Sequence, residues 1–219
     1  MTRRILIALV CLFTILQTGC QESDTQEDAL VRTCYEGYKQ AILDQDGDAA
    51  VAMVDETTLK YYGEMRHLAL EGTADVVHNL TTIDKIMVLM LRHQILVEDL
   101  NQMNAESLFV YAVDQGWIGR ESVANIDLGD ITVSGDQATG VHISGGTKSS
   151  LKWKFQKENG AWKIDITSIM PMAEQAFQEI IQESGQSEDE FLVTILESIS
   201  GKNVPRSIWD APRRRSANQ

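Results

Sequence analysis

The chain has 219 residues, 43% hydrophobic and 23% charged, proportions of a globular protein that exclude a wholly disordered chain. Its formal net charge is -13, with 32 acidic against 19 basic residues. Such a surface repels phosphate backbones and excludes nucleic acid as the default partner. The length suits one sizeable domain.

Residues 1–20 read MTRRILIALVCLFTILQTGC. Arg3 and Arg4 make a positive start, and residues 5–16 form an uncharged apolar run. The run is shorter than the roughly twenty residues of a membrane-spanning helix and suits a secretory signal. The small residues Thr18 and Gly19 then precede Cys20. This junction resembles the lipobox of bacterial lipoprotein signal peptides, with Gln17 in place of the usual aliphatic residue. The resemblance implies that residues 1–19 are cleaved away and that Cys20 becomes a lipid-modified N-terminus. Its acyl chains would anchor the protein at about 0.8 kcal/mol per buried methylene. In the same pattern an aspartate after the cysteine favours inner-membrane retention. Gln21 stands there instead and points to the periplasmic face of an outer membrane in a Gram-negative cell. The alternative is an ordinary signal peptide with a chance cysteine.

Residues 21–28, QESDTQED, lack bulky apolar side chains. We read 20–28 as a lipid-anchored acidic tether, 29–212 as a single domain and 213–219, with Arg213, Arg214 and Arg215, as a basic flexible tail. Once Cys11 leaves with the signal and Cys20 is acylated, Cys34 is the remaining cysteine and no internal disulfide forms. Cys34 sits in an amphipathic pattern and reads as a small buried hydrophobe, not a nucleophile.

Apolar spacing predicts a helix over 29–43, carried by Leu30, Val31, Cys34, Tyr35, Tyr38 and Ile42. The acidic stretch DQDGD, Asp44 to Asp48, interrupts it. As a calcium loop starting at Asp44 it has Ala49 where the turn requires glycine, and Asp55 in place of a bidentate glutamate. It reads better as a glycine break with Asp48 capping a second helix. Helical spacing continues over 57–70, through Ile83, Ile86, Met87, Met90 and Leu91, and over 106–113.

The pattern changes after Gly119. Residues 131–133 and 141–143 alternate as strands, and His142 points to the face opposite Val141 and Ile143. In LKWKFQKENGAWKIDIT, the pair Asn159-Gly160 signals a two-residue hairpin. The implied register sets Phe155 against Ile164 on an apolar face with Trp153 and Trp162, and Lys154 against Asp165 as an ion pair on the other. Lys152, Lys154 and Lys163 share that solvated face. Pro171 and Gly185 bracket one further helix, and Ser187, Glu190 and Gly201 mark the next. Ile208 and Trp209 bring the end of the chain back onto the body. The fold class is α+β: a helical N-terminal half packed on a curved antiparallel sheet of about four strands, with two C-terminal helices.

The run YKQAILDQDGDAAVAMVDE with its Gly47-Asp48 turn, and the later Gly160-Ala161-Trp162-Lys163 hairpin, resemble the nuclear-transport-factor-2-like superfamily. The likeness covers the start and the later part of the domain. It departs in the helical stretch 57–115 and in the two helices after the last strand. The superfamily holds isomerases, dehydratases and many non-enzymatic binding domains, so it implies a fold and no particular activity.

No catalytic or metal constellation stands out, and no cofactor motif is present. His67, His78, His93 and His142 lack the close spacing of a zinc helix. His67 and His93 read as partly buried helical residues. Trp153, Phe155 and Trp162 read as core filling, with a pocket for an apolar ligand as the alternative. Lipidation at Cys20 is the one assigned site. The expected partners are the membrane, through the lipid anchor, and an envelope protein or small apolar ligand. The functional expectation is a non-catalytic ligand- or protein-binding module of the envelope. The alternatives are a pocket enzyme of isomerase or dehydratase type with an Asp or His base, and an envelope scaffold.

Overall fold

The structure is a computed structural model that describes the backbone of residues 19–212 and the side chains of residues 25–212. Residues 1–18, read above as most of a signal peptide, the side chain of Cys20 and residues 213–219 lie outside these described residues. Eight helices come first: α1 (Gly19–Asp44), α2 (Gly47–Val51), α3 (Glu56–Glu71), α4 (Ala74–His78), α5 (Thr82–Gln94), α6 (Val97–Gln102), α7 (Ala105–Asp114) and α8 (Glu121–Ala124). Four strands follow: β1 (Ile126–Ser134), β2 (Gln137–Ser144), β3 (Thr147–Glu158) and β4 (Ala161–Asp165). After a 3₁₀ turn at Ile166–Ile169 come α9 (Met170–Ser184), α10 (Glu188–Ser200) and a 3₁₀ turn at Arg206–Trp209. The class is α+β, and the sheet is an open antiparallel meander in the order β1-β2-β3-β4.

The hairpin forms as its sequence dictates. Asn159 and Gly160 both take positive φ, 51° and 82°, as a primed two-residue turn requires. Lys157 then pairs Trp162, Phe155 pairs Ile164 and Lys154 pairs Asp165. The expected ion pair of Lys154 with Asp165 gives way to a cap: Asp165 Oδ1 accepts from the backbone N–H of Thr167 at 2.9 Å and from its hydroxyl at 2.5 Å. The 3₁₀ turn begins there, and its first N–H groups need an acceptor more than a solvated lysine does.

One face of the sheet is core. Leu128, Ala138, Trp153, Phe155, Trp162 and Ile164 are all buried, with Trp153 1% and Phe155 2% exposed. Helix α1 covers them with Val31, Cys34, Tyr35, Tyr38 and Ile42. The Tyr35 and Trp153 rings meet edge to face at 5.6 Å. His142 lies opposite Val141 and Ile143 as the alternation requires, but its face is the buried one, and it is 2% exposed. Ser149 Oγ lies 3.2 Å from its Nδ1, and its ring lies 5.9 Å from that of Trp153. Burial lowers its pKa, so the neutral imidazole is the form the core accepts.

Helix α1 starts ten residues before the periodicity places it. Glu27, in the stretch read as tether, receives Lys157 Nζ on both carboxylate oxygens at 2.8 and 2.9 Å, and Trp162 Nε1 at 2.7 Å. Farther along, Arg32 donates to the carbonyls of Leu128 and Gly129, and Lys39 to the carbonyl of Ile126 and the carboxylate of Asp127.

The DQDGD stretch joins α1 to α2, with a correction. Asp46, not Asp48, is the cap, its Oδ1 accepting from Ala49 N at 2.9 Å. Gln45 takes the positive φ, 54°. Gly47 is there for space. A Cβ on it would lie 2.5 Å from the carbonyl oxygen of Val110, and its N–H donates to Asp114 on α7. Asp44 accepts from Gln40. Among the described residues no three His, Cys, Asp or Glu side chains gather as a metal site.

The last two helices are fastened to the start of α5. Glu174 on α9 accepts the N–H groups of Thr82 and Ile83 at 3.2 and 3.0 Å, a carboxylate at a helix N-terminus. Glu188 on α10 accepts Lys85 Nζ at 2.7 Å and Thr82 Oγ1 at 2.5 Å. Lys85 is buried and Glu188 half-buried, so this pair is partly shielded from solvent.

Candidate functional site

The singled-out cysteine and histidines do not converge with one another, while Lys154, Phe155 and Asp165 line one small recess. Cys34 is buried, and burial pushes its thiol up to about 12, which leaves it without the thiolate of a nucleophile. His67 is exposed on α3, not partly buried as expected. His93 is half-buried, with Ser200 Oγ 2.8 Å from its Nε2. Lys152 and Lys154 are exposed on the outer sheet face, and Lys163 donates to the carbonyl of Ala52. Trp153, Phe155 and Trp162 are core, so the inner sheet face is filled.

Of the recesses among the described residues, two bear on the functional reading. The smaller, about 340 Å³, opens where α3 begins beside β2, β3 and β4, and Asp55, Asp165 and Lys154 line it. Asp55 is 3% exposed and caps α3, accepting from Thr58 N at 2.8 Å. Burial first, and the nearby Asp165, raise its pKa, while hydrogen bonds from Thr58 and Thr57 oppose the shift.

The larger recess is a groove of about 670 Å³ between α10, the end of α4 and the C-terminal segment. Its centre is an aromatic pair: His78 stacks on Trp209 at 4.2 Å with the rings 19° from parallel. Asp189 Oδ1 lies 3.7 Å from His78 Nδ1. Gln186, Thr194 and Arg206 complete the polar rim.

The groove's floor is held from behind. Arg92, in the last turn of α5, donates to Ile208 O at 3.1 Å and Trp209 O at 2.7 Å. The same guanidinium donates to Leu68 O, Ala69 O and Gly72 O at the end of α3. Five backbone carbonyls thus share one planar fork of donors, a geometry only arginine offers. Glu197 also accepts Val204 N at 3.0 Å. The C-terminal segment is therefore a fastened part of the body, and Trp209 has a defined position before any ligand arrives.

Arg92 and Asp189 went unmarked in the sequence, and His78 was weighed there only with the other histidines, for zinc spacing and as a candidate base. The one sign was Ile208-Trp209, an apolar pair near the end of an otherwise polar stretch. Comparison with protein-family models, curated proteins and solved structures found no match to the chain.

Proposed function

We propose that the protein is a lipid-anchored component of the cell envelope that works as a non-catalytic binding module, taking its ligand or partner in the C-terminal groove. The observation that carries the non-catalytic part is the inner face of the sheet. A pocket enzyme with a cone-shaped cavity needs that face open, and here Trp153, Phe155 and Trp162 fill it. The groove supplies what binding needs: an aromatic pair, a charged rim and a braced floor. The anchor rests on the sequence: the apolar run, then Thr18-Gly19-Cys20. The fold fits a decorated member of the nuclear-transport-factor-2-like superfamily. Helix α1, the turn at Gln45-Asp46 that leads into Gly47-Asp48 of α2, and the Trp162-Lys163 hairpin support that kinship, with α3–α8 and α9–α10 as the decoration.

One observation favours the enzyme reading instead. The small recess brings buried Asp55 and Asp165 near Lys154. Asp55 is already committed as the cap of α3, which weighs against a catalytic role.

The anchor is tested by metabolic labelling with a radioactive fatty acid. The full chain is expected to take up label and Cys20→Ala to take up none. Label that persists on Cys20→Ala would contradict a lipid-anchored protein.

A further inference from the structure

We propose that the groove between α10 and the C-terminal segment binds a saccharide, a hydroxyl-rich ring of one or two sugar units. This inference rests on the groove being the binding surface and names the ligand class. The volume, about 670 Å³, lies within the roughly 300–1,000 Å³ of small-ligand sites. Its lining narrows the chemistry. An anionic ligand meets Asp189 and Glu190 against the single cation Arg206. A wholly apolar ligand would strand the polar side chains Gln186, Asp189, Thr194 and Arg206 without water. An extended peptide adding to a sheet edge finds helices here, not a strand.

A sugar ring answers each group. Its neighbouring hydroxyls each donate and accept, which suits a carboxylate that only accepts, a guanidinium that only donates and an amide that does both. Hydrogen bonds to Asp189 and Arg206 are charge-assisted and therefore the stronger ones. The C–H face of a pyranose needs a flat apolar surface, and Trp209, which lines the groove with one ring face stacked on His78 and its backbone carbonyl held by Arg92, is the aromatic ring that could offer one. Little ordering remains to be done on binding, which is what makes a polar, shallow site selective.

The test is titration of the full chain with cellobiose, maltose and N,N′-diacetylchitobiose. Binding is followed by calorimetry and by the indole N–H resonance of Trp209. At least one disaccharide is expected to bind and to shift that resonance, and Trp209→Ala to weaken it about tenfold or more. Asp189→Asn changes an exposed side chain while keeping its size, so it tests the same site more gently, and is expected to weaken binding several-fold. If no sugar binds but a cationic peptide or an apolar fluorescent probe does, in a way that Trp209→Ala removes, the saccharide class is overturned and the groove stands as a binding surface. If a sugar binds with equal affinity to wild type, Trp209→Ala and Asp189→Asn, the site is overturned. If no probe of any class binds at the groove, both readings fall.

Discussion

Five carbonyl oxygens converge on the guanidinium of Arg92, three from the end of α3 and two from the C-terminal segment. Those at the end of α3 belong to its last turn, where Leu68 O also accepts the N–H of Gly72 at 2.8 Å, and a cation there meets the negative end of the helix dipole. Burial lowers the guanidinium's pKa, and nearby Asp210 opposes that shift. A lysine has three donors on a point charge and cannot span both groups. Arg92→Lys is therefore expected to lower the unfolding free energy by about 2–4 kcal/mol, read from the denaturant midpoint. A loss below about 0.5 kcal/mol would mean that other contacts hold the C-terminal segment. This residue was illegible in the sequence for a plain reason. Its partners are backbone carbonyls between 20 and 117 residues away, and a carbonyl carries no residue identity. His142 was placed correctly opposite Val141 and Ile143, but the alternation could not say that this face is the buried one, where Ser149 and Trp153 make a place for it.

Among the elements, those with local causes were legible. The β3–β4 hairpin register follows from Asn159-Gly160 and two alternating runs. Helix α10 follows from its capping box at Ser187 and Glu190 and its end at Gly201. The start of α1 was not legible, because no apolar stripe marks residues 20–28. Its hold comes from Glu27 meeting Lys157 and Trp162, 130 and 135 residues away. Hydrogen bonds from Lys157 and then Trp162 lower the Glu27 pKa below the ordinary carboxylate value. A carboxylate with a depressed folded pKa contributes stability above its unfolded pKa, near 4.3, and loses it as pH falls through the folded value. Glu27→Gln is expected to free the first turns of α1. Hydrogen exchange at residues 25–28 should then quicken at neutral pH, while wild type shows the same loosening only in acid. Unchanged exchange in Glu27→Gln would show that the clamp does not hold the helix. With the clamp in place, a lipid on Cys20 would carry the body on a short helical stalk, because about seven residues of helix rise about 10 Å.

At the scale of the whole molecule, the question is where a surface remains for function. The net charge of -13 turns the protein away from polyanions. The helices and the sheet share one core, in which α1 closes the inner sheet face and α3, α5 and α7 continue it through Tyr62, Leu89, Leu91 and Phe109. Tyr62 and Phe109 meet edge to face at 5.0 Å there. With the inner sheet face filled, the groove lined by Trp209 is a surface recess whose C-terminal wall is braced by Arg92. The claim on which this rests is that the inner sheet face is core and not a ligand space. Its most direct measurement is the denaturant unfolding of Phe155→Ala. Phe155 is 2% exposed, so removing its ring should leave a cavity and cost about 3–5 kcal/mol. A cost below about 1 kcal/mol would mean that the ring borders open space, and would return the sheet face to the pocket-enzyme reading.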